Sequence, residues 1–458
     1  MKRPVWMSIL VFGMVPALFA GIQAAAYVLA WLGQKLFDGG GYLANILTLM
    51  LVVVMVLATL LVLAERKWSA MMQDRVGPNV ARLPIPGLSK NPLFGLPHVA
   101  ADVLKMLFKE DLVPTKVSRL MFELGPVLAF APAFALFAVV PAGPTITWDD
   151  VRVPMVVAEP DFGILYLFAI ASLAVYGTSL AGWSSNNKFA LLGGVRASSQ
   201  MISYEVGLGL SLVGIFLAFG SVQLGALADA QATYLWKMGD GAFDFGIPAW
   251  GILLQPYGFI LFFAAASAET KRAPFDVPEG ESEIIGYFVE YSGMKFGLFM
   301  ISEFVEVVVL SGVITVLFLG GWHLPFGDAW LAAKLNAIHP VVYGTVAATI
   351  FWLKVLVLCF VQFLMRWTLP RFRYDQIQSL GWKILFPLGL VNLFVTGALV
   401  LLDPSLRLLA LVGMGELVVL AALTAAAGPK KTTPEALAHA GGHGHDSHAP
   451  AHPAAAHH

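Results

Sequence analysis

The sequence predicts an all-α polytopic membrane protein with about ten transmembrane helices, and three observations carry that class. Of 458 residues, 58% are hydrophobic and 12% charged, where soluble domains carry roughly a quarter charged residues. Mean hydropathy is +0.77, and the apolar residues fall in long runs of roughly 20, the length that crosses a ~30 Å hydrocarbon core as helix. The basic residues between the runs alternate in density: Lys35, Arg152, Lys237, Lys334 and Arg407 fall on one side, and 22 fall on the other. By the positive-inside rule the denser side is cytoplasmic, which puts both termini there.

The spans follow in order. The first, 5–31, comes after Met1-Lys2-Arg3; it is too long for a signal-peptide core and reads as a retained helix. The second, 43–64, leads into the cytoplasmic connection 65–120, which contains Pro84, Pro86, Gly87, Pro92 and Pro97. Within it Val99, Val103, Met106 and Leu107 share one helical face while Asp102, Lys105 and Lys109 fall on another, the pattern of an amphipathic helix at the membrane surface or under a partner. Spans 121–140 and 162–181 precede a connection at 182–201, and spans 202–219 and 250–268 precede one at 269–295. Four further spans close the membrane part, at 296–319, 341–364, 384–402 and 408–427. The tail 429–458, rich in Ala, Gly, Pro and seven of the ten histidines, cannot bury a core and is expected to be disordered, without a dedicated metal role.

Composition also removes functions. A single cysteine, Cys359 in an apolar run, excludes an intrachain disulfide, a thiolate zinc site and an iron–sulfur cluster on this chain. Neither GxGxxG nor GxxxxGK[ST] occurs, so neither common nucleotide cradle is present. A net charge of -1, with scattered bases, gives no nucleic-acid surface. No metal ligands are assigned.

Charges near apolar spans are informative, because an ionised group at membrane depth costs several kcal/mol unless paired, hydrated or used. Glu205 lies at the start of one span, and Glu303 and Glu306 lie inside another. Glu269, Asp276, Glu279, Glu281, Glu283 and Glu290 crowd one connection, with only Lys271, Arg272 and Lys295 to balance them. Two readings stand. The group is a solvated acidic loop, or it is a buried relay whose closely spaced carboxyls have raised, coupled pKa values; the apolar neighbours Ile284, Ile285, Tyr287, Phe288 and Tyr291 speak for the second.

A second constellation follows the second span: Glu65, Arg66, Lys67 and Trp68, then Gln73, Arg75 and the turn Gly77-Pro78-Asn79. Such bases are an ordinary membrane anchor, or the guanidinium lip of an apolar slot suited to a neutral amphiphile with a polar head.

These segments carry a resemblance. Ala64-Glu65-Arg66-Lys67 through Gln73-Asp74-Arg75-Val76-Gly77-Pro78-Asn79 resembles the first signature of the membrane subunit of respiratory complex I called H in bacteria and NADH dehydrogenase subunit 1 in mitochondria. Ala268-Glu269-Thr270-Lys271-Arg272-Ala273-Pro274-Phe275-Asp276 with Glu290-Tyr291-Ser292-Gly293 is similar to the second. Gln200-Met201-Ile202-Ser203-Tyr204-Glu205 and Leu369-Pro370-Arg371-Phe372-Arg373-Tyr374 resemble its middle and late regions. Lys271 stands where an asparagine is common, and Glu306 where a neutral residue is expected, so Glu306 reads as a paired structural carboxylate.

The resemblance implies an eight-helix core at 43–402, with an extra helix in 1–42 and another in 403–428. It implies a quinone chamber lined or supported by Glu65, Arg66, Arg75, Arg272, Phe275 and Asp276. From there an acidic proton or charge relay through Glu205, Glu269, Glu279, Glu281, Glu283, Glu290, Tyr291 and Glu303 would lead toward antiporter-like subunits. Quinone would be the substrate, while iron–sulfur clusters and FMN would belong to partner subunits; the chain would bind no cofactor by itself. The expected place is a bacterial inner membrane. The rivals are a homologous anchor subunit of a membrane-bound hydrogenase and a stand-alone proton-coupled transporter, which predicts an internal repeat that the span pattern does not display.

Overall fold

A computed structural model describes residues 5–82, 95–237, 246–280 and 286–426, with side chains from residue 19 onward. The Glu281 and Glu283 assignments and the tail 429–458 lie outside the described residues. The chain is an all-α membrane protein. Its helices are α1 (Val5–Leu36), α2 (Gly40–Met72), α3 (Leu96–Phe108), α4 (Arg119–Val139), α5 (Gly163–Ser184), α6 (Lys188–Phe219), α7 (Leu224–Ala230) and α8 (Pro256–Glu269). They continue as α9 (Gly293–Phe318), α10 (Asp328–Asn336), α11 (Pro340–Thr368), α12 (Tyr374–Leu402) and α13 (Arg407–Ala426). Among the described residues eight of these, α2, α4, α5, α6, α9, α11, α12 and α13, are long and apolar enough to cross a membrane. A further helix, α1, runs for 32 residues.

The bundle is organised around α9, whose residues from Ser302 to Phe318 are buried on every side. A helix apolar all round can only be central, and α9 accordingly packs on α2, α3, α4 and α11. Small residues allow the closest approaches: a Cβ on Gly177 of α5 would come within 2.4 Å of the Ala129 backbone on α4. The second helix and α12 each contain a π-wound stretch, Ile46–Val54 and Leu380–Leu385.

Two sequence expectations change. The connection at 182–201 shrinks to a turn, because Lys188 already begins α6: the Asn187 side chain accepts from the Phe189 N–H and caps the helix. The span at 250–268 is broken, a single turn Gly251–Leu254 being followed by α8, whose 14 residues rise about 21 Å. Pro256 has no N–H and disfavours helical backbone at Gln255, whose φ is -142°; the side-chain amide of Gln255 bonds Thr396 and Asn392 on α12. The amphipathic helix forms, and Asp102, grouped by sequence with Lys105 and Lys109, pairs with Arg66 of α2.

The two ends of the bundle differ. One gathers, among the described residues, 65–82, 95–120, the turn before α6, 269–280 and 286–295. The other carries two short antiparallel hairpins, Ile146–Trp148 with Val151–Val153 and Tyr234–Lys237 with Gly246–Pro248. The first turns through Asp149 and Asp150, both at positive φ, the geometry of a tight hairpin that keeps the strand twist. At this end Lys354 of α11 donates to the carbonyls of Leu319 (2.7 Å), Gly321 (2.9 Å) and His323 (2.6 Å), which satisfies the backbone where α9 ends.

Candidate functional site

At the first end, Glu65 of α2 is buried, with 8% of its surface exposed. It accepts a hydrogen bond from Arg272 Nη1 at 2.6 Å, and its other oxygen pairs with Arg366 of α11. Arg272 Nη2 faces Glu303 Oε2 of α9 at 3.8 Å, with the guanidinium 4.0 Å from the centroid of Phe304. A buried carboxylate survives only when paired and hydrogen-bonded, and Arg272 supplies both to Glu65 while reaching a second one. Burial lowers the Arg272 pKa, and Glu303, Glu279 and Asp276 pull it back up.

Beside this pair a cavity of about 370 Å³ opens, with Glu65, Arg66, Arg75 and Arg366 on its polar wall and Val62, Met300 and Phe304 on its apolar wall. Arg75 is held by Gln73 Oε1 at 2.6 Å, and Arg66 by Asp102 Oδ2 at 2.6 Å. Arg66 and Asp102 also face a narrow, largely apolar slot between α2, α3 and α9, lined by Leu63, Val99, Val103, Met106 and Ile301.

The loop after α8 is pinned from behind. Gln200 Nε2 donates to the carbonyls of Ala268 (2.8 Å) and Phe275 (3.0 Å), and the buried Phe275 ring packs on Tyr204 and Phe372. Arg371 Nη2 donates to Asp276 Oδ2 at 2.6 Å. Burial nevertheless outweighs Arg371 and pushes the Asp276 carboxyl up to about 6. The Glu279 carboxyl lies well above its usual range, first through burial and then through the facing Glu303. One residue before Arg272, the buried Lys271 places Nζ 3.8 Å from Glu306 Oε2.

Deeper in the bundle, Glu205, Glu269 and Glu306 line one enclosed cavity of about 30 Å³, otherwise walled by apolar residues such as Leu136, Leu167 and Leu208. That volume holds a water or two. The Ser172 hydroxyl donates to Glu205, while Glu269 Oε2 has no hydrogen-bond partner among the described residues. The result is a succession of carboxyls with Arg272 and Lys271 among them, from Glu65 at the open cavity to Glu205 inside the bundle.

Thus Glu65, Arg66 and Arg75 meet at one cavity, and Arg272 joins them to Glu279 and Glu303. Phe275 and Asp276 support the loop from behind, and Glu205 and Glu269 share the inner cavity. Glu290 and Tyr291 stand apart. Glu290 accepts from Asn187 Nδ2 at 2.7 Å beside a separate open cleft with Pro114, Thr115 and Lys188. Tyr291 stacks on Phe122 with centroids 4.0 Å apart, its hydroxyl 3.3 Å from Ser184 Oγ.

Sequence reasoning did not name Arg366, Arg371 or Ser172 as members of the site, having counted the two arginines only among the cytoplasmic bases. It also passed over Tyr287, fully buried, whose hydroxyl lacks a hydrogen-bond partner among the described residues and feels Glu279, Glu303 and Glu306. A polar atom on an otherwise apolar segment was the available signal for Tyr287. Glu306, expected as a paired structural carboxylate, is paired with Lys271.

A family model described as NADH dehydrogenase matches residues 44–397. The H 2 subunit of the NADH-quinone oxidoreductase of Syntrophobacter fumaroxidans is 43% identical over 356 residues, 78% of this chain and 95% of the relative. The H 1 subunit of the enzyme of that name from Geobacter metallireducens is 42% identical over 362 residues, 79% of this chain and 97% of the relative. The corresponding H subunit from Thermomicrobium roseum is 42% identical over 336 residues, 73% and 88% of the two chains. The matched residues leave out α1 and α13.

Proposed function

Because the chain belongs to the NADH dehydrogenase family, among the H subunits of NADH-quinone oxidoreductase, we propose that it forms the membrane end of the quinone chamber and starts the charge relay of that enzyme. It is a multi-pass membrane subunit of the oxidoreductase, with the other subunits as its partners. In this reading the enzyme sits in a bacterial inner membrane with both termini of the chain cytoplasmic. Electrons come from iron–sulfur clusters and FMN in partner subunits of the peripheral arm, and small membrane subunits and antiporter-like subunits adjoin the chain within the bilayer.

One observation carries the reading: Arg272 touches Glu65 on the cavity wall and Glu303 inside the core. The quinone head group, admitted through the apolar slot, rests against the guanidiniums of Arg66 and Arg75. Quinone reduction draws protons, and a charge change at Glu65 is felt by Arg272 and through it by Glu303 and Glu279. Low-dielectric surroundings make that coupling strong. From there Glu269 and Glu205 pass the change inward. Glu281, Glu283, Glu290 and Tyr291 complete the proposed path toward the pump modules.

The test is Glu303→Gln in the complete enzyme in native membranes. Electron transfer from NADH to a soluble artificial acceptor should persist, while quinone reduction and proton pumping fall at least tenfold. Wild-type pumping by a fully assembled variant would sink the relay.

A further inference from the structure

Lys271 is unusual in three respects. It follows α8 at the position where helices commonly end in a left-handed residue, usually glycine, and it takes that conformation with φ 54°. Its side chain is 2% exposed. Its nearest carboxylate among the described residues, Glu306, sits at 3.8 Å, beyond hydrogen-bond length, while Glu303, Glu279 and Glu269 act on the same ammonium from further off. The cation therefore stands between two groups of acids. Glu279 and Glu303 are on the side of Arg272 and the open cavity, and Glu306, Glu269 and Glu205 are on the side of the inner cavity.

We propose that Lys271 is a positioning residue that swaps its ion pair between Glu306 and the Glu279–Glu303 group, and that this swap carries charge across the gap between the outer and inner acids. The inference rests on the relay reading and deepens it. With Lys271 on Glu306, that carboxylate is ionised. When the Glu279–Glu303 group gives up a proton toward the quinone, its extra negative charge draws the ammonium over. Glu306 is then an uncompensated charge in apolar surroundings, which such a group escapes by protonation. It takes one proton from the inner cavity, from Glu269 or a water against Glu205. Reprotonation of the outer group returns Lys271 to Glu306, which releases that proton into the inner cavity. One proton lost outside is matched by one taken up inside, with no continuous wire between them.

Among the described residues the charged groups acting on Lys271 are Glu279 on its own loop, Glu303 and Glu306 on α9, and Glu269 at the end of α8, with Arg272 next to it in the chain and sharing Glu303, Glu279 and Glu306. Tyr287 faces the same acids from the segment beyond the loop, and Glu205 of α6 faces the inner cavity only. The left-handed backbone suits the role, because it aims a long side chain back into the bundle from a helix end instead of along the helix.

The experiment compares Lys271→Gln, Glu306→Gln, the double variant and Glu303→Gln in the complete enzyme, with assembly checked by native electrophoresis and NADH oxidation by a soluble acceptor. Each Lys271 and Glu306 single variant should lose pumping at least tenfold, and the double should stay low, because no swap is possible without both partners. A double variant that recovers wild-type pumping overturns the swap, since a merely compensating pair is dispensable when both charges go together. If Lys271→Gln does not assemble, Lys271→Arg replaces it: it keeps the charge but puts a larger head in a close-packed site, and wild-type pumping there likewise overturns the swap. Loss in Glu303→Gln alongside a recovered double variant means that only the swap is wrong. Full pumping in Glu303→Gln means that the relay itself is wrong.

Discussion

Asp276 and Arg371 are tied by a hydrogen bond of 2.6 Å although 95 residues of chain separate them. The bond ties the acidic loop to the segment between α11 and α12.

That bond should be pH-sensitive. The Asp276 carboxyl is raised from 3.8 to about 6, because burial outweighs Arg371. A carboxyl that holds its proton more tightly in the folded state contributes stability below its unfolded pKa, and this is lost as pH rises through about 6. A shift of that size corresponds to at most about 3 kcal/mol. Protection factors of the amides in 272–277, that is, exchange corrected for its intrinsic base catalysis, should fall as pH rises through about 6 in the wild-type chain, and Asp276→Asn should flatten that profile. An unchanged slope in the variant refutes the assignment.

Glu65→Gln should cost more than a rim charge ordinarily does. It strips the carboxylate from Arg272 and Arg366 together, and breaking a buried pair from one side costs about 3 kcal/mol or more. Lowered thermal stability of the solubilised enzyme, with weakened quinone reduction, is the expected result. Stability equal to wild type would mean that solvent reaches Arg272.

At the opposite end, His323 lies between Asp328 (2.7 Å) and Asp229 (3.5 Å). Burial pulls its pKa down, but the two aspartates outweigh burial and the net shift is upward from 6.5. For a raised histidine the stabilisation is complete below 6.5 and fades as pH climbs through the folded value. Protection factors of the amides in 320–328, that is, exchange corrected for its intrinsic base catalysis, should therefore fall above neutrality, and His323→Gln should remove that fall.

Lys354→Met should loosen the end of α9 without touching the acidic cluster. Three carbonyls would lose their donor, a loss of about 3 kcal/mol if none finds water. Limited proteolysis between α9 and α10 would detect it. Resistance equal to wild type would show that water replaces the ammonium.

Membrane class and helix positions were legible because a bilayer demands long apolar runs, and such runs are a property of local sequence. The break at Gln255 was also written there, as a polar residue before a proline, but a run counted by hydropathy passes over it. Glu303 and Glu205 declared themselves because charge is rare at depth. Their pairing did not, since which faces of α2, α8, α9 and α11 meet is decided by packing between segments up to about 300 residues apart. For the same reason the sequence did not show that Arg366, counted as one of many cytoplasmic bases, meets Glu65, or that Asn187 donates to Glu290.

The π-wound stretch Ile46–Val54 has a mechanical implication for the rim. A π turn is an α turn that holds a surplus residue, and each residue of an α-helix advances about 100° around the axis. The helix bearing Glu65 and Arg66 thus stores slack. If that slack travelled past them, both side chains would swivel by about 100° while the helix ends stayed anchored: a crank already wound into the rod.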